Sequence, residues 1–169
     1  VGHNLQSARF GQKMGHVKAV DMMTGALTDP FGNGHMGLTA ENVAKEMSIT
    51  RQAQDELAYN SHLRASKAIN AGYFKEQILP MAIQTGKKEE VFDTDEHYRK
   101  EVRLQDFSKL KPAFNQDGTV TAGNSSGIND GASALVLANK SAISKYSMPV
   151  MAEIISYGVG GVAPHLMGL

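Results

Sequence analysis

The chain has 169 residues, 41% of them hydrophobic and 20% charged, ordinary globular values that disfavour both a disordered tail and a membrane span. Lys plus Arg is 17 and Asp plus Glu is 17, a formal net charge of zero, so the electrostatic footprint of a nucleic-acid binder is missing. With no cysteine, this stretch of sequence excludes disulfides, thiolate metal sites and a cysteine nucleophile.

The first residues lack the basic start and apolar block of a signal peptide, and a cytoplasmic protein is expected. With no initial Met and an end on Met167-Gly168-Leu169, the sequence reads as a piece of a longer chain. Residues 1–20 carry Arg9, Lys13 and Lys18 without a clean period and read as an extended excursion. Residues 21–27 form a short apolar turn, and Asp29-Pro30-Phe31-Gly32-Asn33-Gly34 is dense turn chemistry. Thr39 is the expected N-cap of a helix ending near Met47, with Glu41 in a first turn where a carboxylate suits the helix dipole. A longer helix is expected from a cap at Thr50 to about Ala71. It puts Ala53, Leu57, Ser61, Ala65, Ala68 and Ile69 on one face, with Gly72 as the C-cap.

Residues 74–83 read as a short strand, held to a sheet edge by Pro80, and residues 87–90 as a charged turn. Arg103, Lys109 and Lys111 alternate with Leu104, Phe107 and Leu110, either a solvated face or a phosphate-binding rim. Residues 138–146 suggest a short helix capped by Ser141, and residues 151–158 a buried strand of Ile and Ala. No internal repeat or low-complexity segment is present.

The most informative stretch is 119–137, in which a β-branched run leads into Gly123, Gly127 and Gly131 with short polar side chains between them. Glycine admits close approach of a ligand, and Asn124, Ser125, Ser126, Asn129 and Asp130 supply donors and acceptors. An ordinary strand-turn-strand connection fits the same composition. Gly123-Asn124-Ser125-Ser126-Gly127 also matches the Gly-x-Ser-x-Gly elbow of serine hydrolases, which needs a strand before Ser125 and a helix after it. The apolar run Leu135-Val136-Leu137 suits a strand better than that helix. The histidines His3, His16, His35, His62, His97 and His165 are scattered with no His-x-x-x-His pair, so no metal site is expected.

Several motifs in fixed order carry a family resemblance. Gly34-His35-Met36-Gly37-Leu38-Thr39-Ala40-Glu41-Asn42, Ile49-Thr50-Arg51-Gln52-Ala53-Gln54-Asp55 and Gly72-Tyr73-Phe74-Lys75-Glu76-Gln77-Ile78-Leu79-Pro80 resemble successive segments of thiolases. In the third, Gln77 replaces the family's glutamate. Leu110-Lys111-Pro112-Ala113-Phe114, Gly118-Thr119-Val120-Thr121-Ala122-Gly123-Asn124 and Ser126-Gly127-Ile128-Asn129-Asp130-Gly131-Ala132 complete the set. Residues 159–168 resemble the approach to a Met-Gly-x-Gly-Pro motif, with His165 near the family's aspartate-proline pair. The resemblance covers essentially the whole chain, with no gap between His35 and Gly131.

The resemblance implies an α/β fragment of the thiolase fold. Residues 1–128 would be the coenzyme A-binding loop domain, with 5–20 a tetramerisation-type loop. Residues 129–146 would return to the N-terminal half, and residues 147–169 would open the C-terminal half. The implied parent is a short-chain, biosynthetic-type enzyme that condenses two acetyl-CoA to acetoacetyl-CoA or cleaves it with CoA. A longer-chain 3-ketoacyl-CoA thiolase is the rival within the family. The family's nucleophilic cysteine would precede this stretch, and its activating histidine and second cysteine would follow it. The chain would then hold no catalytic residue and be inactive alone. Coenzyme A is implied as substrate rather than cofactor, met by Leu27, His35, Met36, Arg99, Asp106, Leu110, Phe114, Ala122, Ser126, Gly127 and Ile128. Arg99 would face the adenosine-phosphate end, and Asp106 stands where the family has a small hydroxyl residue near the adenine. A homo-oligomer, a dimer of dimers, is implied, with neither nucleic acid nor membrane as partner.

Overall fold

A computed structural model describes residues 2–169 as a mixed α/β chain; Val1, at the start of the expected excursion, lies outside them. Two compact units are distinguished, one of Val1–Ser126 with Ala163–Leu169, the other of Gly127–Val162.

In the first unit, β1 (His3–Asn4) pairs antiparallel with β2 (Val20–Asp21). Between them lie a 3-10 turn at Gln6–Phe10 and an irregular, exposed stretch. Where an apolar turn was expected, α1 (Met22–Ala26) forms, because the Asp21 carboxylate accepts the Thr24 amide at 2.8 Å and caps it. Helix α2 (Met36–Glu46) begins three residues before the expected cap at Thr39. His35 is the N-cap, its Nδ1 accepting the Gly37 N–H at 3.0 Å. Thr39 is instead buried inside the first turn, where its hydroxyl donates to the Met36 carbonyl. Glu41 therefore lies in the second turn and serves another purpose than the helix dipole.

Helix α3 (Arg51–Asn70) has the expected cap, with the Thr50 hydroxyl accepting the Ala53 amide. It ends in a Schellman arrangement, the Tyr73 N–H donating to the Ala68 carbonyl and the Gly72 N–H to Ile69, with Gly72 at φ 75°. The same closure ends α2 with Ser48 at φ 54° in the left-handed position. The covered side of α3 takes in Ala65, Ala68 and Ile69 of the expected face but not Ala53, Leu57 or Ser61. Asp55 is buried and His62 half-buried, while Leu57 is 69% exposed. In the first half of the helix polar contacts, not apolar periodicity, select the covered side.

The strand expected at 74–83 forms only from Met81, after Pro80, since residues 74–77 turn. β3 (Met81–Thr85) pairs with β4 (Lys88–Phe92), so residues 88–90 belong to a strand and not to a charged turn. Gly86 at φ 66° takes the first position of the two-residue connection, where positive φ is required. After this hairpin comes α4 (Leu104–Phe107). The 3-10 turn Pro164–Leu166 completes the unit, with Asn42 Nδ2 donating to the His165 carbonyl at 3.0 Å.

The second unit has one helix, α5 (Lys140–Tyr146), capped by Asn139, whose Oδ1 accepts the Ala142 amide at 2.9 Å, and not by Ser141. The strands expected at 135–137 and 151–158 are absent from the described residues. Leu135, Val136, Met151, Ile154, Ile155, Tyr157 and Val159 are all highly exposed. An apolar run becomes a strand only where another strand supplies the ladder, and the described residues provide none here.

Buried apolar side chains among the described residues are Ala44, Phe107 and Val120. Polar ties fill the remainder of the first unit's interior. The Glu41 carboxylate accepts the Thr119 and Val120 amides, each at 2.8 Å, and the Thr119 hydroxyl at 2.9 Å. Gln54 Nε2 donates to that hydroxyl at 2.8 Å. Buried Asp55 accepts from Arg51 Nε at 2.8 Å and from Asn124 Nδ2 at 3.0 Å, and Arg51 also donates to the Phe107 and Leu110 carbonyls. Asn124 also closes the loop on itself, its Oδ1 accepting the Thr121 amide and its Nδ2 donating to the Thr119 carbonyl.

Burial pushes the Glu41 carboxyl up, yet the hydrogen bonds from Val120 and Thr119 and the Arg51 charge more than offset it, leaving the group below its ordinary value. A depressed carboxyl contributes stability that is present above its unfolded value of 4.5 and is lost as pH falls through the folded value. Glu41→Gln takes the charge out of all these bonds and replaces one accepting oxygen with an NH2 that faces the Thr119 N–H. It is expected to lower stability by about 2 kcal/mol near neutrality and to flatten the loss of stability as pH falls below the unfolded value of 4.5. Urea unfolding followed by circular dichroism across that range checks both.

Candidate functional site

The residues expected to meet a ligand fall into local groups in the first unit. Leu27 ends α1 and its carbonyl accepts the Met36 amide at 2.7 Å. An isolated antiparallel bridge between Thr28 and His35 runs beside this bond. These contacts bring Leu27, His35 and Met36 together at the start of α2. The His35 ring stacks on Phe114, with centroids 4.8 Å apart and planes 19° apart. The imidazole is thus spoken for on one nitrogen and one face. Gly37 makes the stack possible, because a Cβ there would lie 2.3 Å from the Phe114 ring.

Leu110 and Ala122 form a second group. Ala113 donates to the Val120 carbonyl at 2.8 Å and Pro112 bridges Thr121, so the two ends of the 110–122 excursion run side by side. A Cβ on Gly123 would meet Leu110 Cδ1 at 2.5 Å. Ser126 is exposed at the end of the first unit, and Gly127 and Ile128 are exposed at the start of the second, in no regular element.

Arg99 and Asp106 differ in how far their charges are committed. Asp106 is held by Arg103 at 2.9 Å and by Lys109 at 3.0 Å, and these hydrogen bonds, Arg103 first, bring its carboxyl down to about 2. Its oxygens face cations of its own neighbourhood. Arg99 is exposed and makes no ion pair among the described residues; its backbone N–H donates to His62 Nδ1 at 3.1 Å. A groove of about 950 Å³ lies between α3 and α4, lined by Arg51, Gln52, Asp55, Arg103, Leu104, Gln105 and Ser108. None of the expected ligand residues lines it.

The serine-elbow geometry is absent. Ser125 follows the turn 122–124 and is exposed, the residues before it form only the single Thr121 bridge, and no helix starts between it and Lys140. Among the described residues no group of three or more His, Asp or Glu side chains converges to hold a metal ion, and no helix is long and apolar enough to cross a membrane. Sequence reasoning missed the structural weight of Glu41, Arg51, Asp55 and Asn124. Their one available signal was that all four stand inside the motifs that carry the resemblance.

An alanine at Gly37 would gain about 1 kcal/mol of helix propensity but would drive the Phe114 ring off His35, an overpacking cost of about 1–3 kcal/mol. Gly37→Ala is therefore expected to destabilise, and Gly37→Ala combined with Phe114→Leu to recover most of the loss. A double-mutant cycle by chemical denaturation reads the coupling.

Comparisons with known proteins agree with one another. Residues 2–141 match the family described as Thiolase, N-terminal domain. The beta-ketothiolase BktB of Cupriavidus necator is 51% identical over 96% of this chain and 42% of its own length. A crystal structure of the Bacillus anthracis acetyl-CoA acetyltransferase superposes with a TM-score of 0.82 at 43% identity, covering 98% of this chain and 42% of that one. The human mitochondrial 3-ketoacyl-CoA thiolase, solved in complex with CoA, gives a TM-score of 0.72 at 37% identity over 86% of this chain and 36% of its own. The chain spans about 42% of the curated relatives it matches. The motif order, the mixed α/β fold and these matches converge: the chain belongs to the thiolase family.

Proposed function

We propose that this chain is the coenzyme A-binding portion of a cytoplasmic, homotetrameric acetyl-CoA C-acetyltransferase of fatty acid metabolism. The parent condenses two acetyl-CoA to acetoacetyl-CoA or cleaves acetoacetyl-CoA with CoA. The observation that carries this reading is the group of Leu27, His35, Met36 and Phe114, where an imidazole stacked on a phenyl ring stands beside apolar walls. Such a surface suits a thin pantetheine and acyl chain, the aromatic pair giving a rigid wall and the imidazole its remaining polar edge. Leu110, Ala122, Ser126, Gly127 and Ile128 extend the contact along CoA in this reading. Arg99, uncommitted to any ion pair among the described residues, supplies a charge-assisted contact to the phosphate-bearing end.

In the same reading residues 1–128 are the loop domain and residues 5–20 an oligomer contact. Phe10 and Met14, 89% and 93% exposed, support that contact. Residues 129–146 and 147–169 belong to the two catalytic halves. The cysteines of the chemistry lie outside these residues, so the chain by itself has no thiolysis activity. Its own residues bind and orient CoA and keep water from the acyl end. A longer-chain 3-ketoacyl-CoA thiolase is the second reading, favoured by the likeness to the human mitochondrial 3-ketoacyl-CoA thiolase at 37% identity. A series of 3-ketoacyl-CoA substrates of rising chain length decides between the two.

In the full-length enzyme, Arg99→Ala is expected to raise KM for CoA about tenfold in thiolysis and to change kcat less than about twofold, as loss of uniform binding does. Loss of acetoacetyl-CoA absorbance on adding CoA gives both constants, and an unchanged KM removes Arg99 from the site.

A further inference from the structure

Among the described residues, one hydrogen bond reaches from the 93–102 segment to another element, the Arg99 N–H donating to His62 Nδ1 at 3.1 Å. His62 stands in the middle of α3, half-buried, with the Phe107 ring of α4 tilted beside it at 6.3 Å. An imidazole that accepts at Nδ1 is neutral and carries its proton on Nε2. A second proton would turn Nδ1 into a donor facing a donor. We propose that His62 is a positioning residue for coenzyme A, its neutral ring fixing the Arg99 backbone and its protonation releasing it. This rests on Arg99 being the contact to the phosphate-bearing end of CoA.

The surroundings favour the neutral ring. Burial first, then the charges of His97 and Arg99, hold His62 below its usual value of 6.5. From α4, Phe107 is apolar, and Arg103 and Lys109 are occupied with Asp106. On α3, Asp55 is held by Arg51 and Asn124, while Arg64 and Lys67 are exposed. On the 93–102 segment itself Asp95, Glu96 and Glu101 are exposed, and the charges that act on the ring are those of His97 and Arg99, with no carboxylate among them. With the folded value depressed, the tie is intact near neutrality and is lost as pH falls below the ordinary imidazole range.

The test uses the full-length enzyme and calorimetric titration of CoA at about pH 8 and about pH 5.5, on either side of the imidazole range. His62→Gln retains an acceptor that does not titrate. It is expected to match wild type at the higher pH and to lose markedly less affinity on acidification. His62→Leu removes the acceptor and is expected to bind about fivefold more weakly at the higher pH, the scale of one hydrogen bond. The titration of CoA phosphates is common to all proteins and cancels in the comparison. Wild-type pH dependence in His62→Gln, or wild-type affinity in His62→Leu, overturns the proposal. Arg99→Ala separates the two failures. If it binds CoA as wild type does, the Arg99 reading falls and this inference with it. If it binds weakly while His62→Leu is unchanged, only the role of His62 falls.

Discussion

The first unit depends on two carboxylates that close one excursion of chain. Glu41 on α2 and Asp55 on α3 take up the amides, hydroxyl and amide side chain of Thr119, Val120 and Asn124. A buried carboxylate is costly unless its lone pairs are met, and here none of the buried side-chain polar atoms is left without a partner among the described residues. With apolar burial among the described residues confined to Ala44, Phe107 and Val120, these bonds hold the excursion where a larger core would otherwise do so. Gly118 belongs to the same arrangement, since a Cβ there would meet Glu41 Oε1 at 2.3 Å. The carboxylate can approach the backbone this closely only past a residue without a side chain.

What the clasp positions is the wall of the candidate site. Arg51, held by Asp55, donates to the Phe107 and Leu110 carbonyls and so fixes the start of the excursion whose far end Asn124 fixes. Phe114 lies between those fixed points and meets His35 at the α2 N-terminus. The side chains expected to meet a ligand are thereby set by residues outside that group. The arrangement is one of rigid support beneath the candidate surface.

The family and fold class were legible in the order of the motifs, and the long helix in its caps at Thr50 and Gly72. Element boundaries were less so. Thr39 and Ser141 are good capping residues by type, but His35 and Asn139 take the role, because a capping residue works only where its own backbone is extended, as it is at both of these. The strand expected at 151–158 shows another limit. Composition reports that a segment is apolar, not whether a neighbouring strand exists to pair it. The candidate site was legible as a set of positions, through resemblance alone. That Asp106 is committed to Arg103 and Lys109, and that the Arg99 backbone hangs on His62, depends on side-chain geometry across 37 residues or within one turn, which no local pattern announces.

The exposed apolar segment of the second unit has a practical consequence. Ile154-Ile155-Ser156-Tyr157-Gly158-Val159 is six residues with no charge and no proline, rich in side chains that favour extended backbone, and its large residues stand open to solvent. Such a window is a template for intermolecular β-pairing. Handled as an isolated chain, the protein therefore carries an aggregation hazard at this window, and a charged substitution at Ser156 or Gly158 is the direct remedy.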